Sequence, residues 1–459
     1  MTVEMGLHPA QGSPVARQRK SDVLVVGGGP AGSTAAIALA NKGYHVTLLE
    51  KARHPRFHIG ESLLPANLAL FERLGVAADI QAIGMQKWGA EFVSPWHAVR
   101  SQTFEFAEAW NKSMPFAYQV RRSQFDEILI RRAATCGAQV IEGCRVRDIE
   151  FSADGARVQA EHEDGRKESF AARFVIDASG PDTFLGNRLN IKQRDRKHNS
   201  SAMYAHFKNA RRDPDCKRAG NISLFWFDHG WMWFIPLADG ATSIGAVVWP
   251  YYMKSRKKPL REFFLETLAL CAPLSERLTE AELISDVEAT GNYSYSCLQP
   301  YGENFLLVGD AYAFVDPMFS SGVMLAMTTA DTAADTVDTC LKEPARARAA
   351  LKHFDRVSRL GTKEYTWFIH RVTNPTMRDL FMDPRNLLRM KEALLGLLAG
   401  DLYGSTPIWP SLRAFKALYY IVSLANLRRS IAALRRRRFN IQPAEPDQMT
   451  AGWPIGPRG

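Results

Sequence analysis

The sequence predicts an α/β protein with a Rossmann-like nucleotide-binding domain, an inserted antiparallel β-sheet and a helical C-terminal region. A glycine-rich turn between a buried strand and an alanine-rich helix predicts the first part. Short stretches of alternating apolar and polar residues predict the inserted sheet. Apolar residues at helical spacing in the last quarter of the chain predict the third part.

These patterns divide the 459 residues into segments. The expected segments are a flexible N-terminus (1–20), the nucleotide-binding domain (21–345) with its inserted sheet (roughly 90–120 and 200–300), the helical region (346–439) and a disordered tail (440–459). The tail is rich in Pro and Gly, which favours disorder over a packed element.

Composition limits the protein class. Hydrophobic residues make up 46% of the chain, as in ordinary globular proteins. We find neither a secretory leader nor an apolar run long enough for a membrane span. The six cysteines form no CxxC pair, which is typical of a reducing compartment and argues against a zinc site. We therefore expect a cytoplasmic protein.

Residues 21–50 carry the strongest local pattern. A buried strand leads into a G-x-G-x-x-G turn at Gly27, Gly29 and Gly32, then a helix, a second strand and Glu50. The first glycine permits a tight turn, the second lets backbone approach a pyrophosphate, and the third lets the helix pack on the strand. The helix N-terminus attracts phosphate, and Glu50 is placed to bind a ribose. We predict dinucleotide binding here.

A second apolar strand, at residues 305–308, precedes Gly309 and Asp310. An aspartate in this position can bind ribityl or ribose hydroxyls, which indicates FAD spanning the domain. Taken alone, Asp310 is equally consistent with a helix cap.

The stretch GWMWFIP, Gly230–Pro236, places Trp231 and Trp233 on the same face of a strand, because side chains at i and i+2 point the same way. Without further motifs, such a pair is more often part of a core. Two more stretches stand out: HPRFHIGESLLP at 54–65 and DPMFSSGV at 316–323.

With these stretches, residues 20 to 420 resemble the flavin-dependent halogenases, in the branch that acts on phenols, pyrroles or carrier-tethered substrates. That family lies within the FAD superfamily that also contains the aromatic hydroxylases. Arg122 and Asp126 match the superfamily's R-x-x-F-D helix beside FAD. Pro181, after DASG, departs from the polar or basic residue that is common there, which puts in doubt one contact near the nucleotide.

The resemblance implies roles for individual residues. Trp231 and Trp233 would separate flavin from substrate, and the turn containing Pro317, Ser321 and Gly322 would bind halide. Lys87, in a K-x-G-A pattern, would pass hypohalous acid to the substrate as hydrogen-bond donor or haloamine. Read alone, Lys87 would be an ordinary surface charge.

The implied reaction consumes reduced FAD, dioxygen and chloride or bromide, and forms hypohalous acid at the flavin. The expected substrate is an electron-rich aromatic ring in secondary-metabolite biosynthesis, either a small molecule or a group bound to an acyl carrier protein. A separate flavin reductase would supply reduced FAD, and no nucleic acid is expected. Two alternatives are an FAD monooxygenase or reductase on the same scaffold, and a non-catalytic flavoprotein in a biosynthetic assembly.

The net charge of +10 is concentrated near the C-terminus, where Arg435 to Arg438 end a predicted amphipathic helix at 411–440. Three interpretations stay open for this basic helix. It is a packed helix with a solvated end, a peripheral membrane contact, or a docking face for an acidic carrier protein.

Overall fold

The computed structural model describes residues 19–291 and 294–442. The predicted flexible N-terminus up to residue 18 and the predicted disordered tail from residue 443 lie outside the described residues. Asn440 and Ile441, which we assigned to that tail, belong to the last helix.

The described residues form strands that we number in chain order. The strands are β1 (Arg19–Val26), β2 (Val46–Glu50), β3 (Met85–Lys87), β4 (Gly89–Val93), β5 (Ser101–Glu105), β6 (Ala117–Gln119), β7 (Gln139–Glu142), β8 (Cys144–Ser152), β9 (Gly155–His162), β10 (Lys167–Asp177), β11 (Lys192–Arg194), β12 (Ser201–Lys208), β13 (Ile222–Phe227), β14 (Gly230–Pro236), β15 (Thr242–Val248), β16 (Glu282–Leu283), β17 (Glu288–Gly291), β18 (Tyr295–Cys297), β19 (Tyr301–Gly302), β20 (Phe305–Leu307) and β21 (Ala313–Phe314).

The helices are numbered in the same way. They are α1 (Pro30–Asn41), α2 (Asn67–Leu74), α3 (Ala77–Ile83), α4 (Arg122–Thr135), α5 (Phe184–Arg188), α6 (Pro250–Lys254), α7 (Leu260–Ala269), α8 (Ala272–Arg277), α9 (Gly322–Lys342), α10 (Pro344–Ile369), α11 (Pro375–Met382), α12 (Met390–Ala399), α13 (Trp409–Ala425) and α14 (Leu427–Ile441). Short 3₁₀ helices occur at Phe106–Glu108, Gly180–Asp182, Gly309–Ala311, Pro317–Phe319 and Leu387–Arg389.

The nucleotide-binding half is built on a mainly parallel sheet. Its strands follow the order β19-β20-β10-β1-β2-β7, and β8 and β9 extend it beside β10. β1 pairs in parallel with both β2 and β10. Helices α1, α4 and α9 pack together on one face over a shared apolar cluster. In open α/β sheets of this kind, ligands bind at the carboxyl ends of the parallel strands.

The second sheet has the order β16-β12-β15-β14-β13-β4-β5. Adjacent strands of this sheet are antiparallel, except that β4 and β13 are parallel to each other. Trp231, Trp233 and Ile235 point to one face, which packs against the C-terminal helices, while Met232 and Phe234 point to the other face, which α7 covers. Since both faces are covered, every residue of β14 is buried.

The C-terminal region differs from the sequence expectation in two places. Leu387 and Leu388, in the region 346–439 that we expected to be helical with an apolar face, lie in a 3₁₀ turn before α12 and are each 67% exposed. The backbone of Leu388 is left-handed, so it cannot continue a helix. The basic segment, expected as one helix, is two helices, because the backbone of Asn426 departs from helical geometry between α13 and α14.

Candidate functional site

A cavity of about 830 Å³ lies between the parallel sheet and the second sheet. The carboxyl ends of β1 and β2 line one part of it, and strands β13 and β14 line another. Its size is within the range of roughly 300–1,000 Å³ that is usual for ligand sites. One continuous space therefore connects the predicted cofactor site with the tryptophan-bearing strand.

The glycine-rich turn forms the floor of this cavity beside the N-terminus of α1. Gly27 has φ +101°, and a β-carbon there would lie 2.5 Å from the Ala178 carbonyl oxygen. A β-carbon at Gly32 would overlap the Gly27 carbonyl oxygen, so α1 can lie against the turn only with glycine there. A β-carbon at Gly29 would meet nothing closer than the Arg56 guanidinium at 3.6 Å. Gly29 therefore leaves its backbone open to a ligand.

Glu50 ends β2 at the wall of the cavity. Its carboxylate accepts hydrogen bonds from the Gly28 N–H at 2.6 Å and the Ala52 N–H at 2.8 Å. These backbone donors fix the direction of the side chain, and carboxylate lone pairs remain for ligand hydroxyls.

Arg122 and Asp126 form a bidentate ion pair at the start of α4, with N···O distances of 2.8 and 3.0 Å. Arg122 also donates to the Ile59 carbonyl oxygen at 3.0 Å, which ties the 54–65 loop to the helix. Burial would raise the pKa of Asp126, but Arg122 and then Arg56 hold it below its usual value. Arg122 lines the cavity as a fixed positive charge.

Asp310 faces the cavity from the 3₁₀ turn that follows β20. Gly309 has φ +55°, and its N–H donates to Thr329 Oγ1 at 3.0 Å, which holds the turn on α9. Burial raises the pKa of Asp310 to about 7. This carboxyl needs hydrogen-bond partners inside the cavity, and hydroxyl groups of a ligand would supply them.

The residues present fit FAD. The glycine turn offers backbone to a pyrophosphate, Glu50 lies where a ribose would bind, and Asp310 lies across the cavity on a second strand end. The open approach at Gly29 is the observation that decides this fit, since a side chain there would fill the space beside the turn.

Trp231 and Trp233 both line the cavity. Their ring centroids are 6.0 Å apart, and the rings are inclined by 48°. The indole N–H of Trp233 donates to Ser243 Oγ at 3.2 Å, which fixes that ring. Tyr204 lies beside Trp233, with ring centroids 6.1 Å apart and planes inclined by 32°, and extends the aromatic wall.

Lys87 ends β3 and is only 1% exposed. Its ammonium nitrogen donates to Ser62 Oγ at 2.9 Å and to the Leu63 carbonyl oxygen at 3.1 Å. Burial lowers the pKa of Lys87 to about 7. Ser62 lines the cavity whereas Lys87 does not, so the lysine lies directly behind the serine.

The 316–323 turn lies where α9 begins. Pro317, Ser320 and Gly322 line the cavity, whereas Ser321 does not. Ser320 has a left-handed backbone with φ +55°, and Ser321 precedes α9. The first backbone bond to Ser321 is donated by Leu325, so the N–H groups between them have no partner within the helix.

Sequence reasoning missed a buried acid–histidine pair on the cavity wall. His206 Nε2 on β12 lies 2.9 and 3.1 Å from the two carboxylate oxygens of Glu61. Glu61 lines the cavity, and both side chains are buried. The only signal for Glu61 was its place in the distinctive 54–65 stretch, and His206 looked like any residue of an alternating strand.

Comparison with known proteins decides the family. The model of the tryptophan halogenase family matches residues 22–113 and 97–379. The chain belongs to this family. It is an enzyme of the flavin-dependent halogenase class, and our prediction of an FAD-dependent halogenase with a Rossmann-like fold is confirmed.

Three relatives cover most of this halogenase. A 1H-pyrrole-2-carbonyl-[peptidyl-carrier protein] chlorinase of Pseudomonas fluorescens is 31% identical over 83% of this chain and 89% of its own length. The myxobacterial chondrochloren halogenase is 32% identical, with a TM-score of 0.73 over 86% of this chain and 93% of that one. A flavoprotein/dehydrogenase of Cytophaga hutchinsonii is 27% identical, with a TM-score of 0.80 over 89% and 100%.

The matched part of this halogenase spans between 64% and 70% of the length of several other halogenases. Across residues 19–291 and 294–442, no helix combines the length and apolar character needed to cross a bilayer.

Proposed function

We propose that this halogenase uses reduced FAD, dioxygen and chloride or bromide to halogenate an electron-rich aromatic ring. The observation that carries the proposal is the single cavity that joins the dinucleotide turn, the start of α9 and the Trp231–Trp233 wall. When bound, reduced FAD would supply two of the four electrons that reduce dioxygen, and halide would supply the other two, so that the products are hypohalous acid and water.

The cofactor would be held by backbone more than by side chains. Amide groups at the start of α1 face the pyrophosphate, and Gly29 lets it approach. Glu50 accepts from ribose hydroxyls at one end, and Asp310 accepts from ribityl hydroxyls at the other. Arg122 provides positive charge near the ring without rotating, because Asp126 fixes its guanidinium.

The halide would bind at the start of α9. The N–H groups of Gly322 and Val323 and the positive end of the helix dipole favour an anion there. Pro317, in the same turn, also lines the cavity. Ser321 would contribute its backbone, since its side chain is buried away from the cavity.

Trp231 and Trp233 would keep substrate away from the flavin. Both rings are fixed by packing, and Trp233 is held further by Ser243. An aromatic wall without a mobile polar group prevents direct transfer of oxygen to the organic molecule and leaves hypohalous acid as the species that passes.

Lys87 would deliver the halogen. A pKa of about 7 leaves it partly charged and partly neutral at physiological pH. The ammonium form can donate a hydrogen bond to the oxygen of hypohalous acid. The neutral amine can instead form a nitrogen–halogen bond while hydroxide leaves with the amine proton as water. Ser62 connects the amine to the cavity in either case.

The substrate would be tethered to a carrier protein, as in the name of the Pseudomonas fluorescens relative. The helices α13 and α14 expose a surface that suits such a partner, which we call the basic–apolar surface. Its apolar members are Tyr420, Ile421, Leu424, Leu427, Ile431, Leu434 and Phe439, and its basic members are Arg428, Arg435, Arg436 and Arg438. Apolar side chains among arginines match an acidic partner that also offers an apolar patch.

A membrane with anionic lipids has the same general chemistry, and peripheral membrane contact is the alternative. We favour the carrier over the membrane because the name of the Pseudomonas fluorescens relative includes a carrier-bound substrate. A carrier that delivers such a substrate needs a docking site on the enzyme. The protein would act in the cytoplasm with a separate flavin reductase.

The first experiment combines purified protein, FAD, a flavin reductase and NADH with chloride or bromide. Mass spectrometry then follows halogen transfer to a phenolic probe and to pyrrole-2-carboxylate loaded on a carrier protein. Halide-dependent product supports the proposal. Hydroxylated product would favour a monooxygenase, and bound FAD with neither product on either probe would favour a non-catalytic flavoprotein.

A further inference from the structure

His198 is the centre of a buried polar chain behind the 316–323 turn. Its Nε2 lies 2.9 Å from Asp316 Oδ2, and its Nδ1 lies 3.1 Å from Arg437 Nη2. A guanidinium only donates hydrogen bonds, so Nδ1 must accept from Arg437. Nε2 therefore carries the hydrogen and donates to Asp316, which assigns His198 as neutral and in one tautomer.

Asp316 connects the hydrogen-bonded chain of Arg437 and His198 to the turn. Its second carboxylate oxygen accepts from the Met318 N–H at 3.3 Å, inside the 3₁₀ helix Pro317–Phe319. Ser200 Oγ donates to the first oxygen at 3.1 Å. Because Asp316 is only 2% exposed and hydrogen-bonded, its carboxylate has a fixed orientation. The turn that it holds includes Pro317, which lines the cavity.

Arg437 is unlike its neighbours in the arginine run. Arg435, Arg436 and Arg438 are exposed, whereas Arg437 is half-buried. Its guanidinium also donates to the Lys197 carbonyl oxygen at 3.1 Å and packs over Trp249.

Further charged groups surround the chain. Burial lowers the pKa of Arg437 to about 10, so it stays charged at neutral pH. His370 stacks on His198 with ring centroids 6.1 Å apart, and it bonds to Asp195 at 2.6 Å. Arg437 thus links the last helix to this buried polar chain.

We propose that Arg437 and His198 are positioning residues for the halide site, and that they act by holding Asp316 and the turn at residues 317–322. This inference rests on the proposed function, since it assumes that halide binds at the start of α9. The positioning matters because backbone N–H groups bind an anion tightly only when they point to the same place. Ser320 has a left-handed backbone, which is maintained by contacts with its surroundings. The C-terminal helix then contributes to halide affinity without touching halide.

The test compares Arg437→Gln with Arg429→Gln in the holoenzyme. Arg429 also lies on α14, but it is outside the basic–apolar surface and pairs with Asp379. Both variants remove one positive charge from α14, but only the first removes the donor to His198. In the halogenation assay, Arg437→Gln should raise the KM for bromide about tenfold, the scale of one lost charge-assisted hydrogen bond, with kcat changed less than about twofold. Arg429→Gln should change neither.

A second readout does not depend on halogenation. Hydrogen–deuterium exchange of the backbone amides at 316–325 should be faster in Arg437→Gln and unchanged in Arg429→Gln. If wild type gives no halogenated product, the proposed function fails, and exchange alone decides whether Arg437 orders the turn. Unchanged exchange in Arg437→Gln would overturn the proposal.

Substitution of the histidine separates its two contacts. In His198→Gln the side-chain amide can still donate to Asp316, whereas His198→Phe removes both contacts. We expect the KM for bromide to be largely retained in His198→Gln and raised in His198→Phe, at similar melting temperatures. Equal losses in both variants, with kcat and melting temperature falling together, would indicate a general packing role and overturn the positioning role.

Discussion

Ser62 Oγ lies 2.9 Å from Lys87 Nζ, and the serine faces the cavity while the lysine is buried behind it. The amine that we propose as halogen carrier is therefore reached through one hydroxyl. This arrangement excludes water from the amine, and burial gives the amine its lowered pKa. Substitutions of Lys87 and of Ser62 should therefore reduce halogenation to different extents.

Replacing Lys87 with methionine keeps the length of the side chain and removes the amine. We expect halogenation to fall by about a hundredfold or more, since a positioned proton donor or nucleophile contributes on that scale. NADH oxidation through the reductase and FAD should continue. Product measured by mass spectrometry beside NADH consumption checks this, with the exposed Lys208→Met as control. Retained product in Lys87→Met would remove Lys87 from the mechanism.

Ser62→Ala keeps the lysine but removes its contact with the cavity. We expect an intermediate loss of halogenation, because the Leu63 carbonyl still holds the amine. Coupled and uncoupled turnover, measured as halogenated product per NADH, separates this effect from weaker FAD binding. Full activity in Ser62→Ala would show that the halogen does not pass by the serine.

The pKa of about 7 for Lys87 predicts a pH dependence of stability. The folded pKa is below the ordinary value of 10.5, so the unfolded chain binds the extra proton between pH 7 and about 10.5. The lysine therefore costs stability below pH 7, and this cost is relieved as pH rises through that window. Urea unfolding of wild type and Lys87→Met should show a difference that shrinks with rising pH.

The raised pKa of Asp310 acts in a different window. Its folded pKa of about 7 lies above the ordinary value of 3.8, so its protonated form adds stability that is lost as pH rises towards 7. In urea unfolding, Asp310→Asn should remove this contribution between about pH 4 and pH 7 and leave the dependence above pH 7 intact. For Lys87, the contrary result would be a difference in the free energy of unfolding between wild type and Lys87→Met that stays constant from pH 7 to 10. That result would contradict the lowered pKa of Lys87.

Two glycines of the turn should respond differently to alanine. At Gly32 a β-carbon overlaps the Gly27 carbonyl oxygen, so Gly32→Ala should destabilise the fold by several kcal/mol, on the order of 3 or more. At Gly29 the space is open, so Gly29→Ala should fold normally and bind FAD more weakly. Melting temperature and titration of FAD fluorescence measure the two effects. Unaltered FAD affinity in Gly29→Ala would argue against pyrophosphate at this turn.

The basic–apolar surface predicts salt-sensitive docking. Replacing Arg435, Arg436 and Arg438 with Gln while keeping Arg437 should weaken binding of the loaded carrier protein, and the difference should vanish at high salt. Binding to wild type is measured by titration at two ionic strengths. Wild type that binds anionic lipid vesicles but not the carrier would support the membrane alternative.

The amino-acid sequence by itself determined the nucleotide-binding half. The turn at Gly27 to Gly32, its flanking strands and Glu50 depend on local steric rules, and the structure has them where the pattern predicts. The alternation in GWMWFIP likewise placed both tryptophans on one face of β14. Short-range geometry leaves few alternatives for such segments.

Only the tertiary structure decided how distant residues meet. Arg437 and His198 are 239 positions apart, and Glu61 and His206 are 145 apart. Nothing in the arginine run distinguishes the one arginine that turns inward, because burial depends on how α14 packs against the loop before β12. Lys87 likewise acquires its lowered pKa from burial by residues on other elements, which a linear pattern does not encode.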